Sequence, residues 1–482
     1  MDLAEYASFD ALGLAGLVAR REISPRELAL TAARAIEKAN PAVNAVVETY
    51  PDRIEGLDEQ RLGHGPFRGV PFLMKDVFGH EQGRRIEFAS RLCRGMTVEI
   101  DTHVAELFRA SGVNIIGRSN APEYSMAGST ENALYGNTST PWRKGYSAGG
   151  STGGGMAAVI SGMVPIAHGT DIAGSIRIPA SWCGGVGLKP SRGRVSFGPA
   201  LDEHGFGLAT NFVQVKSVRD AAAMLDCLAV PQTGDPFRIP KPTGSYASLI
   251  RTPPAKLRIG WSAAPLAGVP VDAEIAAGVV TVAKQLECMG HLVTEVSPDC
   301  DLLAAMPAFI DIWFFAVDQR LEGYAARTGR SIGPATLEPV VEHIYRYART
   351  ITPARFVSAL AALNTARRRL ATVFNACDVW LTPTMSTVSE AWGRYNLGRA
   401  DVTMANLVDE LYKVPFQFTL PHNIMGTPAI SLPLLQHSSG LPIGIQLAAR
   451  PADEHVILGV AAALEAALPW SARVPPLHVS RL

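Results

Sequence analysis

Two glycine-rich segments each contain one serine whose hydroxyl is placed to react. Residues 147–155 include five glycines around Ser151, and residues 169–179 place small side chains before Ser175. Glycine permits positive φ and a close approach of the backbone to another group. The first segment continues directly into an apolar helical pattern, which favours a functional loop over a spacer. The second could aim several N–H groups at one point, as in an oxyanion hole, but alone it is equally typical of a plain turn.

A third segment ends at a lysine that could act as a base. Residues 70–74 are apolar and lead to Lys75 and Asp76. Such a lysine is usually a surface residue whose stem covers apolar neighbours. If it is buried instead, its pKa falls by up to several units from about 10.4, and the neutral amine can accept a proton. Near the second serine, Asp171 and Arg177 carry opposite charges, and we expect them to pair across the turn.

Other uses of a glycine loop fit the sequence less well. No lysine follows the loop, as a phosphate-binding P-loop requires. Residues 141–144 do not have a strand pattern, whereas the dinucleotide fingerprint and the nucleophile elbow both need an entering strand. No HExxH spacing or i, i+4 histidine pair occurs among the eleven histidines, so we expect no metal site.

Composition narrows the classes of partner. The 482 residues carry 44 basic and 44 acidic side chains, so net charge gives no reason to expect nucleic acid or an anionic membrane. We find no secretory signal pattern and no apolar stretch of about 20 residues, and we therefore expect a cytoplasmic protein that does not span a membrane. The six scattered cysteines suit reduced thiols.

Helix and strand patterns alternate along the chain, which predicts an α/β fold. We expect one domain over residues 1–482, with a surface excursion at 230–254 and a buried core helix within 153–169. A capping box at residues 24–27 begins a helix that Pro41 should stop. Further helices are predicted at 101–110, 272–289 and after Asp453, and strands at 113–117, 256–261, 291–296, 379–381, 429–432 and 443–448.

Together these segments resemble the amidase signature family. The residues that carry the resemblance are GVPFLMKD (69–76), GGSTGG (149–154) and GTDIAGSIRIP (169–179), with further matches at 117–123, 183–190, 426–433 and 441–446. Ser151 lies 76 residues after Lys75, and Ser175 lies 24 residues after Ser151, as in the family. The resemblance covers essentially the whole chain, with core motifs at 65–190 and a variable pocket region at about 300–425. Within the family, the chain looks most like bacterial hydrolases that open cyclic nylon-oligomer amides.

The resemblance implies a reaction and a fold. Ser175 would attack a carbonyl carbon, Ser151 would relay its proton across a cis Gly150–Ser151 bond, and neutral Lys75 would receive it. An acyl-enzyme would form and be hydrolysed without metal or organic cofactor. The implied fold is a mixed, twisted sheet covered by helices on both faces. The backbone N–H groups implied for the oxyanion hole are those of Ile172, Ala173, Gly174 and Ser175.

Specificity is less determined by the sequence. Thr152 stands where the family usually has serine, and Ala173 where glycine is common, so the acyl pocket could be narrower. The residues expected to line the pocket are Met126, Thr152, Trp313, Gln417 and Phe418, and residues 78–96 should shape the entrance. We predict an apolar or aromatic amide or lactam as substrate. A carbamate or ester hydrolase, an amidase subunit of a glutamine-dependent amidotransferase complex and a non-catalytic scaffold remain alternatives, and a homodimer is possible.

Overall fold

A mixed β-sheet forms the centre of the computed structural model, which describes residues 1–252 and 254–482. Within these residues the sheet has eleven strands, in the order β1-β3-β2-β6-β8-β7-β12-β13-β11-β9-β10, and β4 and β5 form a separate two-stranded sheet. The strands are β1 Val46–Thr49, β2 Pro71–Lys75, β3 Asn114–Ser119, β4 Ser139–Thr140, β5 Arg143–Ser147, β6 Ile166–Asp171, β7 Val186–Lys189, β8 Thr210–Val215, β9 Arg258–Trp261, β10 Leu292–Glu295, β11 Val379–Pro383, β12 Ala429–Gln436 and β13 Pro442–Ala449.

Helices flank the sheet, which confirms the predicted α/β class. In the described part of the chain they are α1 Leu3–Ser8, α2 Ala11–Ala19, α3 Pro25–Val43, α4 Pro51–Ile54, α5 His103–Ser111, α6 Gly153–Ile160, α7 Arg177–Cys183, α8 Val218–Leu228, α9 Tyr246–Leu249, α10 Ala273–Cys288, α11 Leu302–Phe314, α12 Val317–Thr328, α13 Pro339–Ala348, α14 Pro353–Ala371, α15 Val373–Ala376, α16 Lys413–Phe416, α17 Leu420–Met425 and α18 Glu454–Ala467.

Parallel pairing brings the ends of two strands to one edge of the sheet. Strand β2 pairs in parallel with β6 on one side and with β3 on the other. Lys75 is the last residue of β2 and Asp171 the last of β6. Because parallel strands point the same way, the residues that follow both strands lie at the same edge. The motifs around Lys75 and Ser175 therefore meet there.

Two clusters of buried apolar side chains hold the molecule together. The first joins β2, β6, β8, β12 and β13 to helices α3, α6, α8 and α18. The second joins α11, α13, α14 and α17 to the segment around Tyr124 and Met126. The carboxyl groups of Glu123 and Glu338 link this segment to α13, since the N–H of Glu338 donates to Glu123 Oε2 at 2.9 Å.

Helix α3 differs from its predicted end. It continues through Pro41 to Val43, so the expectation that proline stops it is wrong. Pro41 removes only one late intrahelical bond, and Asn44 ends the helix instead in a left-handed conformation at φ 56. Asn40 then binds the outgoing backbone, since its Oδ1 accepts from the N–H groups of Ala45 and Val46.

Two other predicted segments also need correction. Residues 153–169 form not one buried helix but α6 followed by β6, because Gly162 turns the chain between them at φ 79. Residues 143–147 do form a strand, contrary to our reading of 141–144, but it pairs with β4 outside the main sheet. The helix predicted at 101–110 begins instead at His103, and the Asp101 carboxylate accepts from Gln82 N–H and pairs with Arg109.

One stretch could cross a membrane by length and composition, although the sequence reading found none. It spans the 27 residues Leu302–Thr328, with a mean hydropathy of 1.4 in its most apolar window. In the structure it is divided into α11 and α12, because Ala316 adopts φ 60 between them. Its apolar side chains, Phe309 and Trp313 among them, are buried within the second cluster.

Candidate active site

The side chain of Lys75 is fully buried and surrounded by hydroxyl groups. Its Nζ lies 2.7 Å from Ser151 Oγ, 2.8 Å from Thr170 Oγ1 and 3.0 Å from Thr152 Oγ1. Its backbone N–H donates to His168 Nδ1 at 3.3 Å. Three polar neighbours match the hydrogen-bonding capacity of the lysine side chain. A charged ammonium has three N–H donors, and a neutral amine has two N–H donors and one lone pair that accepts.

The environment of Lys75 favours the neutral amine. Burial lowers the pKa of this amine well below 10.5, and the negative charge of Asp171 opposes the shift without cancelling it. Asp171 is itself paired with Arg177. With a neutral amine, the Ser151 hydroxyl can donate to Nζ while the two Nζ–H groups donate to Thr152 and Thr170. Lys75 is thus equipped to accept a proton through Ser151.

The glycine loop holds Ser151 beside Lys75. The Gly150–Ser151 peptide bond is cis, as the resemblance implies. A Cβ on Gly150 would lie 2.6 Å from both Ala127 O and Ser129 N, so only glycine fits this close approach. The Thr130 hydroxyl ties the loop together, because it donates to Gly149 O at 2.7 Å and accepts from Gly153 N–H at 3.0 Å.

A buried ion pair holds the turn that carries Ser175. Arg177 and Asp171 are both fully buried, and Arg177 donates from Nη2 to Asp171 Oδ1 at 2.9 Å and from Nε to Oδ2 at 3.0 Å. Burial raises the pKa of Asp171, but the charge and hydrogen bonds of Arg177 outweigh it and bring the pKa to about 2. Asn423 adds a bond to Oδ1 at 2.9 Å. The ion pair joins β6 to the start of α7.

The backbone N–H groups of this turn divide into two sets. Gly174 N–H donates to Asp171 Oδ1 at 2.8 Å, so the Gly174 donor that we predicted for the oxyanion hole is already engaged. Within the described residues, the N–H groups of Ile172, Ala173 and Ser175 make no hydrogen bond. Gly174 instead serves the shape of the turn, at φ 133 and with its α-carbon packed against Thr419.

Ser175 lies next to the lysine cluster through its backbone. Its carbonyl oxygen accepts from Thr152 N–H at 3.1 Å, and its side chain is nearly buried. Among the described residues its hydroxyl makes no hydrogen bond, including none to Ser151. Catalytic hydrogen bonds often tighten only when a substrate is bound. The hydroxyl is therefore free to turn towards either a substrate or Ser151.

A pocket that contains the two serines has about 400 Å³ of empty space, part of which is open solvent. Ser151, Thr170 and Ser175 form its polar floor. Its walls are mainly apolar and aromatic, and they are formed by Phe78, Tyr124, Met126, Ile172, Trp313 and Val317. Such a concave apolar site with a few convergent polar groups is typical of a small-molecule binding site.

The predicted pocket residues are only partly found in this pocket. Met126 and Trp313 line it, and Thr152 lies behind it with its hydroxyl on Lys75. Gln417 and Phe418 do not line it. The Gln417 amide is turned away to bind Val269 O and the Ser386 hydroxyl, and the Phe418 carbonyl accepts from Gln446 at 2.9 Å.

Several residues that line the pocket were not predicted from the sequence. Tyr124 and Ser125 follow the segment at 117–123 that carried part of the resemblance, so adjacency to that segment was an available signal. His204 lies in a loop without regular structure and gave no signal. Arg320 lies three residues after Val317 on α12, which places the two on one helical face.

Three buried histidines around the site are uncharged. His168 forms a hydrogen bond with Asn211 through Nε2 at 3.2 Å, and burial lowers its pKa to about 3. Burial also lowers the pKa of His80 to about 4 and that of His422 well below 6.5. All three are therefore neutral at pH 7.

Comparison with known proteins gives matches along almost the whole chain. A family model described as Amidase matches residues 27–458. The 6-aminohexanoate-cyclic-dimer hydrolase of Paenarthrobacter ureafaciens is 34% identical, across 97% of this chain and 96% of that protein. An acylamidase of Rhodococcus erythropolis is 31% identical, across 96% of each.

Solved structures agree with this placement. A 6-aminohexanoate cyclic dimer hydrolase complexed with substrate superposes with a TM-score of 0.91 at 33% identity, covering 98% of this chain and 99% of that one. The resemblance predicted from the sequence motifs is thereby confirmed. The chain belongs to the amidase family and is a hydrolase of amide bonds.

Proposed function

We propose that this protein hydrolyses the carbon–nitrogen bond of a small carboxamide, with Ser175 as nucleophile, Ser151 as proton relay and neutral Lys75 as base. The observation that carries the proposal is the buried Lys75 amine 2.7 Å from Ser151 Oγ, in a pocket that also holds Ser175. A base that is neutral near the working pH is what proton transfer from a serine requires.

The reaction balances in two halves. Ser175 Oγ attacks the carbonyl carbon, its proton passes to Ser151, and the proton of Ser151 passes to Lys75 Nζ. The N–H groups of Ile172, Ala173 and Ser175 stabilise the negative oxygen of the tetrahedral intermediate. When the C–N bond breaks, Ser151 gives its proton to the leaving nitrogen and regains one from Lys75.

Water completes the cycle by the same route. It loses a proton through Ser151 to Lys75 as it attacks the acyl-enzyme ester. Ser175 then takes the proton back as the ester C–O bond breaks. The products are a carboxylic acid and an amine, and the protein returns to its starting protonation state.

The substrate that we propose is an apolar or aromatic amide or a lactam. The aromatic walls formed by Phe78, Tyr124 and Trp313 favour such a group over a strongly polar one. Two relatives of this chain, a 6-aminohexanoate-cyclic-dimer hydrolase and an acylamidase, are named for action on a cyclic amide and an acyl amide respectively.

The test is labelling and turnover with the purified single chain. A fluorophosphonate probe should form an adduct on Ser175, located by peptide mass spectrometry. Ser175→Ala should lose the adduct and at least about a thousandfold of kcat on a panel of amides, lactams and carbamates, while its thermal midpoint stays close to that of the wild type.

Ser125→Ala is the matched control, because Ser125 lines the same pocket and should leave the Ser175 adduct in place. Undiminished turnover by Ser175→Ala would contradict the proposal. Turnover that appears only with glutamine and added partner chains would replace it with an amidotransferase role. Preference for carbamates or esters would change the substrate but keep the reacting groups.

A further inference from the structure

One charged side chain of the candidate pocket has no counter-charge. Arg320 lies on α12 beside Val317, and both residues line the pocket that contains Ser175. Arg320 is partly exposed, as expected for a residue at the mouth of a pocket. It makes no ion pair with any residue in the described ranges, 1–252 and 254–482.

The other ionisable groups of the pocket are neutralised or neutral. Asp171 is paired with the buried Arg177 at 2.9 Å. His204 stacks on Phe78 with ring centroids 3.9 Å apart, and burial holds its pKa well below 6.5. The positive charge of Arg320 lowers this pKa further, which places the guanidinium within electrostatic reach of the pocket wall. The pocket thus carries one uncompensated positive charge.

A lone guanidinium beside an apolar cavity is an anion-binding group. Its planar fork matches the two oxygens of a carboxylate, and charge-assisted hydrogen bonds of this kind are stronger where water is excluded. The apolar and aromatic residues that line the same pocket as Arg320 and the two serines suit an apolar spacer. A substrate that contacts the serines, the apolar walls and Arg320 together has an amide at one end, an apolar middle and a carboxylic acid at the other end.

We propose that Arg320 binds a carboxylate of the substrate, so that the preferred substrates are amides with an acidic group separated from the scissile bond by an apolar chain. This rests on the proposed amide hydrolysis at Ser175. It goes further by assigning the substrate class and the residue that selects it.

The experiment compares two series of 4-nitroanilides. One series carries dicarboxylic acyl groups of four to eight carbons with a free terminal carboxylate, and the other carries plain alkanoyl groups of equal length. In the wild type, kcat/KM of the acidic series should pass through a maximum at one chain length. In Arg320→Gln, the ratio of acidic to alkanoyl kcat/KM at that length should fall about tenfold or more. Arg320→Lys should fall less, because an ammonium keeps the charge but loses the fork.

Arg349→Gln is the matched control. Arg349 is exposed on the segment after α13 and does not line the pocket, so its loss changes the net charge equally but should leave the ratio as it is. A ratio that is the same in wild type and Arg320→Gln would overturn the inference, and so would an equal drop in Arg349→Gln.

A binding measurement separates this inference from the proposed function. In Ser175→Ala, calorimetry should give a Kd for the acidic anilide that weakens about tenfold when Arg320→Gln is added. This readout needs no turnover, so it stands or fails independently of the serine chemistry. Equal binding by the single and double variants would refute the role of Arg320, whereas failure of the proposed function would appear only as absent turnover and absent labelling.

Discussion

At the scale of the residue, the site depends on how far burial lowers the pKa of one amine, that of Lys75. Lys75 is fully buried, and the closest polar groups to its Nζ are three uncharged hydroxyls rather than a carboxylate. A carboxylate in direct contact would hold the proton on the amine. The nearest acidic charge that acts on it, Asp171, is itself neutralised by Arg177. The cluster therefore keeps a basic group available at moderate pH.

Lys75→Met should lose about a hundredfold to ten-thousandfold of kcat, because the base is removed while the buried volume is nearly kept. In the wild type, kcat/KM should rise with pH and level off, since the neutral amine is the active form and its pKa lies below 10.5. Initial rates between pH 5 and pH 10 measure both effects. Retained turnover in Lys75→Met, or a flat profile from acid to neutral pH, would argue against a lysine base.

The residues of the site were predictable where motif and chemistry coincide. Lys75, Ser151 and Ser175 were each indicated by an unusual local pattern, and the structure places all three around one pocket floor. Gln417 and Phe418 were chosen because they lie in a variable region, and that criterion contains no information on which way a side chain points. Arg320 was missed because a single arginine on a helix is normally a solvated residue, and only the bend at Ala316 turns it to the pocket.

At the scale of the element, strand ends and the turns after them do the positioning. The turn from β6 to α7 is held from inside by Asp171, which accepts from Gly174 N–H, Ile176 N–H and Arg177. Arg177 in turn donates to Thr419 O, Gln446 and Asn423, which ties the turn to α17 and β13. Periodicity predicts the strand and the helix, but not this network, because its partners come from more than 240 residues away.

Asp171→Asn should lower the free energy of unfolding by about 3–5 kcal/mol, because it leaves the Arg177 charge buried without a partner. Urea unfolding at pH 7 measures this. Asp299→Asn is the control, since Asp299 pairs with Arg369 on the surface, where an ion pair contributes under about 1 kcal/mol. A loss below about 1 kcal/mol in Asp171→Asn would contradict the bracing role. In the wild type the contribution is present above the unfolded pKa of about 4 and is lost as pH falls through about 2.

At the scale of the whole molecule, the sequence predicted the sheet class but not how the second cluster is attached. Alternating helix and strand patterns were enough for the α/β class, and the six predicted strands were correct within a few residues. Strands β1, β2, β6, β7 and β8 of the same sheet were not predicted. The hydrogen bond from the Glu338 backbone N–H to the Glu123 carboxyl group could not be expected from the sequence. It brings together two acidic residues that lie 215 positions apart and whose negative charges repel each other. Burial raises the pKa of Glu123 to about 8, and the negative charge of Glu338 adds to the shift. Burial likewise raises the pKa of Glu338 to about 7.

These raised values give the two glutamates a stabilising contribution that falls as pH rises. Between about pH 4.5 and pH 8 the two groups hold protons in the folded chain that they lose in the unfolded chain, so their contribution to the free energy of unfolding decreases with increasing pH. Glu338→Gln removes one of the two charges and keeps an oxygen to accept from Ala133 N–H. From pH 5 to pH 8, the free energy of unfolding of the variant should therefore decrease by about 1–2 kcal/mol less than that of the wild type.

Thermal or urea unfolding at the two pH values provides the measurement. Glu322→Gln, on the exposed side of α12, is the control and should follow the wild type. If Glu338→Gln and the wild type lose equal stability over this range, the pKa of Glu338 is not raised in the folded protein and its charge does not raise that of Glu123.

The candidate pocket is formed by two parts of the chain that lie far apart in the sequence. The proposed reacting groups lie between residues 75 and 175, at the ends of β2 and β6 and in the glycine loop before α6. Trp313 and Arg320 line the same pocket from a helical pair more than 130 positions later. Replacements on that pair can exchange one class of substrate for another while bond cleavage continues. The substrate specificity of such a protein can therefore change by mutation while its hydrolytic activity is retained.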